Sequence, residues 1–75
     1  MAYYAIKVKE CEEDGRCYVA EIKEDGHLGM TCDPGQALVG WDYEQMMSLI
    51  DSIAARRKAA GLSELNMYYV CVNPS

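Results

Sequence analysis

The residues best equipped for chemistry are four cysteines (Cys11, Cys17, Cys32, Cys71), one histidine (His27) and an acidic run of Glu10, Glu12, Glu13 and Asp14. Thiolates hold zinc when close pairs can complete a tetrahedron. Here the step from Cys11 to Cys17 is followed by much longer ones to Cys32 and Cys71, a spacing that matches no compact zinc pattern. Histidine works as a general base when it stands between a Ser or Cys nucleophile and an orienting carboxylate. The acids next to His27 are Glu24 and Asp25, in a stretch that reads as a turn, where carboxylates cap backbone amides. The acidic run lacks the alternating oxygen ligands of a calcium loop. Gly35 and Gly40 stand alone and make no phosphate-cradling loop. The expectation is therefore a chain with no catalytic residues, no cofactor and no metal.

Seventy-five residues, 51% apolar and 25% charged, allow one hydrophobic core and one domain spanning 1–75. Every element must contribute to that core, because the gain from burial barely exceeds the entropy of ordering so short a chain. The net charge of -5 argues against a general binder of phosphate backbones, and the seven basic residues are scattered apart from Arg56-Arg57-Lys58. It favours basic protein partners, including proteins that themselves handle nucleic acid. The N-terminus lacks a signal-peptide pattern and no window has the apolar length of a membrane span. A cytoplasmic chain with reduced thiols is expected.

Those side chains are positioned by two turns of the same composition. Tyr4, Ile6 and Val8 alternate with Ala5, Lys7 and Lys9, the period of a strand with one buried face. Glu13-Asp14-Gly15 then suits a three-residue hairpin loop. That loop sets Cys11 opposite Cys17, Val8 opposite Ala20, Lys7 opposite Glu21 and Ile6 opposite Ile22. Tyr18, Ala20 and Ile22 join the core face, and Cys11 and Cys17 face each other as either a redox-responsive pair or two plain thiols beside a turn. Glu24-Asp25-Gly26 repeats the device, pairing Lys23 with His27, Ile22 with Leu28, Ala20 with Met30 and Tyr18 with Cys32. Asp33-Pro34-Gly35 ends the meander, with Pro-Gly suited to the centre of a type II turn. Residues 36–40 form an apolar connection of open conformation.

Asp42 and Gln45 mark a helix start of capping-box type, with Trp41 and Met46 as its hydrophobic staple. Met46, Ile50, Ile53 and Ala54, assisted by Met47 and Leu49, make the inward stripe. Gly61 stops the helix and Leu62 folds back. Leu65 to Val72 reads as a last strand beside the first. Either Met67, Tyr69 and Cys71 or Tyr68, Val70 and Val72 face the helix. The fold class expected is α+β in the order β-β-β-α-β: a three-stranded antiparallel meander, one amphipathic helix packed on one sheet face, and a returning fourth strand.

One helix leaves the other sheet face open. In the register above, that face carries Tyr3, Ala5, Val19 and Thr31, with the hairpin tip of Glu10, Glu12, Glu13 and Asp14 beside it. These residues form the expected interface of a protein-interaction module, an inhibitor or adaptor acting on a basic or nucleic-acid-associated protein. Two other uses of the same features are open: stacking of single-stranded nucleic acid on sheet tyrosines, and homodimerisation through a free strand edge or the open face. Tyr3-Tyr4-Ala5, the Glu13-Asp14-Gly15 turn, Tyr18, and Pro34-Gly35 before a helix resemble a HicB-type antitoxin domain. The resemblance implies a β-β-β-α-β module that covers and inhibits a small ribonuclease. In size, acidity and architecture the chain is also similar to small phage inhibitors of CRISPR complexes, which implies the same kind of action.

Overall fold

The computed structural model describes residues 2–73. Its elements are β1 (Tyr3–Val8), β2 (Tyr18–Ile22), β3 (Leu28–Thr31), β4 (Val39–Gly40), α1 (Tyr43–Ala59) and β5 (Met67–Val72). All pairings are antiparallel. β1 is central, with β5 along one side and β2 followed by the short β4 along the other, while β3 lies outside β2. The α+β meander with one helix against the sheet is as the sequence led us to expect. The added element is β4, drawn from the apolar connection, which pairs Gly40 with Tyr4 and Val39 with Ala5.

The core forms from the alternation in β1. Ile6 and Val8 are fully buried together with Val19, Met46 and Ile53. Met67 and Tyr69 pack on this cluster, so the Met67, Tyr69, Cys71 set of β5 faces the helix, and Tyr68, Val70 and Val72 face away. The helix starts as its sequence indicates: Asp42 Oδ1 accepts the Gln45 amide at 2.8 Å, and Gln45 Oε1 accepts the Trp41 amide at 2.7 Å. The Trp41 ring, expected to staple onto Met46, is not buried with it. It stands edge-on to the Tyr3 ring, 6.1 Å between centroids, and is largely exposed. Gly61 (φ 74°) ends the helix, with the Leu62 amide donating back to the Arg57 carbonyl at 2.9 Å. On the inward stripe Met46 and Ile53 are buried, Leu49 and Ile50 are half-buried, and Ala54 is exposed.

The first hairpin departs from expectation. β1 stops at Val8, and Lys9–Asp14 winds into a 3-10 helix that ends at Gly15 (φ 81°). Long-range contacts hold it there. The Glu10 carboxylate accepts the Asn66 amide at 3.0 and 3.1 Å, Glu12 accepts the Tyr68 hydroxyl, and Cys11 packs on the core. The connection therefore takes up more chain than a three-residue loop, and Lys7 pairs with Tyr18 instead of Glu21. A three-residue shift is odd, so it exchanges the faces of Tyr18 and Val19. Val19 enters the core opposite Ile6, and Tyr18 moves to the open face. Ile22 still packs inward because the β2–β3 pairing is interrupted between Val19 and Glu21 by a bulge that restores the inward phase.

The second hairpin closes as its sequence indicates. The Lys23 amide donates to the His27 carbonyl at 2.9 Å, Gly26 has φ 90°, and Ile22 pairs with Leu28. Beyond the bulge the partners move by one, giving Val19 with Met30 and Tyr18 with Thr31. Asp33-Pro34-Gly35 is not a type II turn, because Gly35 keeps a negative φ. Asp33 Oδ1 instead caps a short 3-10 turn by accepting the Gly35 amide at 2.8 Å.

Candidate functional site: the open face of the sheet

The pairings arrange the helix-free face in three rows. Thr31, Tyr18, Lys7 and Tyr68 cross the sheet side by side, followed by Val39, Ala5 and Val70, and then by Tyr3 with Val72. Ala5 is completely buried beneath its larger neighbours, although no helix covers it. Val39 is 43% exposed and Tyr68 37%, so the surface around this alanine is apolar and open to solvent. Trp41, packed edge-on to Tyr3, extends the aromatic rim.

The first row carries the polarity of the face. The Lys7 ammonium lies 5.6 Å from the centre of the Tyr18 ring, within cation–π range. On its other flank Tyr68 donates its hydroxyl proton to Glu12. That hydrogen bond joins the acidic 3-10 turn to the aromatic row, so Tyr68 and the acids form one continuous surface. Glu10 and Glu12 thereby act in the fold as well as in charge. For Glu13 and Asp14, both exposed, the structure shows no such bond.

Because the Glu12 carboxylate is stabilised by the phenolic proton, the Tyr68 pKa is raised above the ordinary 10.0. A phenol with a raised folded-state pKa contributes stability that is present below 10 and lost as pH rises through the folded value. Tyr68 is accordingly expected to ionise above the ordinary phenol value in an ultraviolet titration. Glu12→Gln should bring its titration back towards that of free phenol, and an unchanged Tyr68 titration in that variant would show that the hydrogen bond does not form in solution.

Several residues singled out in the sequence take other places. Val19 belongs to the core, so it leaves the interface set. Tyr3 and Thr31 remain on the open face. The Tyr3 hydroxyl reaches the Pro34 carbonyl at 3.4 Å, and the Thr31 hydroxyl donates to Gln36 Oε1 at 3.3 Å. Cys11 and Cys17 are both free thiols and no longer face each other across a strand pair. Cys17 is buried beside Val8, and Cys11 packs on the core, where desolvation, then the charges of Glu10 and Asp14, push its thiol pKa up. Raising the pKa lowers the thiolate fraction and hence the reactivity. Cys32 and Cys71 are exposed. His27 Nδ1 lies 3.0 Å from Asp25 Oδ2 in the exposed β2–β3 turn, where Asp25 also accepts the His27 amide. Among the described residues no group of three His, Cys, Asp or Glu side chains converges on a metal-sized site. No helix of the described residues is long and apolar enough to cross a membrane.

A second concavity, about 630 Å³ and open to solvent, lies between the last turns of α1 and the segment leading to β5. Ile50, Ala54, Leu62, Leu65 and Met67 line it. Of the two cations that line it, Arg57 and Lys58, Arg57 is already engaged, donating to the Ser63 carbonyl at 3.0 and 3.2 Å and to the Gly26 carbonyl at 3.2 Å. Those bonds fasten the second hairpin to the end of the helix and remove one of three adjacent cations from the pool available to a polyanion.

The register missed at the sequence level concealed Tyr18 and its pairing with Lys7. A period-two reading of β1 alone already placed Lys7 on the open face. The missing signal was its pairing with Tyr18, which depends on the winding of the first connection. Comparison of the chain with protein-family models, curated proteins and solved structures finds no significant match.

Proposed function

We propose that this domain is a non-enzymatic protein-interaction module that docks another protein on the open sheet face. The observation that carries the proposal is the continuous apolar and aromatic surface of Tyr3, Val39, Val70, Val72, Tyr18 and Tyr68, uncovered by the single helix and joined at Tyr68 to the acidic turn. Tyrosine and tryptophan are the side chains that most often anchor protein interfaces, since they bury large areas with few rotatable bonds and retain a polar tip. The adjoining acids and the net charge of -5 select a basic partner. A nucleic-acid enzyme fits that description, and occupation of its phosphate-binding channel by Glu13 and Asp14 would make the domain an inhibitor. The HicB-type resemblance points to the same kind of action, with a ribonuclease as the target.

The row Tyr18, Lys7, Tyr68 supports a second reading, the stacking of single-stranded nucleic acid. It carries one cation, with Glu12 adjoining, whereas a backbone-tracking groove needs several cations in line. The two readings separate in one comparison. The purified domain is expected to show no salt-dependent binding to isolated oligonucleotides and to capture a protein from native extract. Tyr18→Ala with Tyr68→Ala should release that protein, and Glu13→Lys with Asp14→Lys should weaken its capture. Tight oligonucleotide binding with no protein captured would reject the interaction module in favour of the second reading. The charge reversals avoid Glu10 and Glu12, whose hydrogen bonds hold the first connection in place.

A further inference from the structure

Among the described residues β5 pairs only with β1, which leaves its outer edge without a strand. In an antiparallel ladder, successive residues direct their backbone N–H and C=O groups alternately to the two sides of the strand. The Val8 amide donates to the Cys17 carbonyl, so even-numbered residues of β1 address β2 and odd-numbered ones address β5. On the β5 side, the Lys9 amide donates to the Asn66 carbonyl at 2.9 Å, so Asn66 and the residues in phase with it, Tyr68, Val70 and Val72, address β1. Met67, Tyr69 and Cys71 therefore point their backbone groups outward, where no strand of the described residues pairs with them.

Natural sheets protect such edges with charge, proline, bulges or short length. The other outer edges are short: β3 spans only four residues, contains Gly29 and borders a bulge, and β4 spans two. β5 is six residues, Met-Tyr-Tyr-Val-Cys-Val, with no charge, proline or glycine, and its register with β1 is unbroken. We infer that the domain forms a two-fold dimer by antiparallel pairing of the β5 edge with the same edge of a second copy, centred on Tyr69. In that register Tyr69 lies opposite its counterpart and Met67 opposite Cys71 of the second copy, so all three outward-facing residues of each strand pair within the strands. Antiparallel pairing also sets the two acidic turns, each tied to the start of its own β5, at opposite ends of the joint, which lowers the repulsion between two chains of charge -5. The open faces of the two copies become one continuous surface, with Tyr68 of each beside Val70 of the other.

Sedimentation combined with amide hydrogen exchange on the unmodified protein tests the dimer. The expected result is a dimer in which the Met67, Tyr69 and Cys71 amides exchange as slowly as those of Tyr68 and Val70, with the first three accelerating on dilution while the other two stay protected by β1. In a second test, M67C should yield a covalent dimer through Cys71 of the second copy under mild oxidation. A monomer at the highest soluble concentration overturns the inference. So does a dimer whose three outward amides exchange freely, or a folded M67C chain that stays single on oxidation.

Discussion

Ile53→Ala is expected to destabilise the domain by about 2–5 kcal/mol, the range for truncating a large buried aliphatic side chain. Ile53 is 1% exposed and packs with Ile6, Val8, Val19 and Met46 in the cluster that joins the helix to the sheet. In a domain whose whole stability is on the order of 5 kcal/mol, that loss is enough to populate the unfolded state. Ile50, three residues earlier on the same stripe, makes a useful comparison. The sequence places it on the inward stripe as a buried residue, yet it is half-buried and lines the solvent-open groove. Ile50→Ala should therefore cost clearly less than Ile53→Ala. Denaturant unfolding of the two variants measures both losses, and a larger loss at Ile50 would mean the helix is rotated from the orientation described above.

The second large effect is expected at Gly40. Its backbone pairs with Tyr4 on the helix side of the sheet, where a Cβ would lie 2.5 Å from Met46 Sδ, 3.3 Å from Gln45 Cβ and 3.4 Å from Gln45 Oε1. Met46 is fully buried and Gln45 Oε1 already accepts the Trp41 amide, so neither neighbour can move without a loss elsewhere. Gly40→Ala should cost about 1–3 kcal/mol by overpacking, and Gly40→Val more. The same unfolding measurement checks this. Stability equal to the parent would show that β4 does not hold the first turn of α1 against β1. An isolated glycine within an apolar run is a signal of close backbone approach, and its position just before the helix start is what gives it that meaning here.

What could be read from the sequence were the features set by neighbouring residues. Alternation placed Ile6 and Val8 inward, Asp42 and Gln45 located the helix start, Gly61 its end, and Gly26 the second turn. The first hairpin has the same three loop residues and behaves differently because its conformation is decided 56 positions away, by Asn66 and Tyr68 gripping Glu10 and Glu12. No local pattern carries that information. The error then spread by geometry: an odd shift exchanged Val19 for Tyr18, while a bulge kept Ile22 where the pattern had put it. The candidate surface was accordingly legible in outline through Tyr3 and Thr31, and its polar row of Tyr18, Lys7 and Tyr68 emerged only from the pairing.

The central claim is that the open sheet face is a protein-docking surface, and the most direct measurement is the affinity of the captured partner for the parent domain and for the Tyr18→Ala, Tyr68→Ala double variant. Both tyrosines stand on the face away from the core cluster, so unfolding curves should show that the variant remains folded. Tyr68→Phe, which removes only the hydroxyl bonded to Glu12, separates loss of that bond from loss of the ring. Loss of two anchoring aromatics is expected to weaken binding by at least about 2 kcal/mol, or roughly 30-fold. A folded double variant that binds the partner as tightly as the parent would contradict the account and move the interaction to another surface.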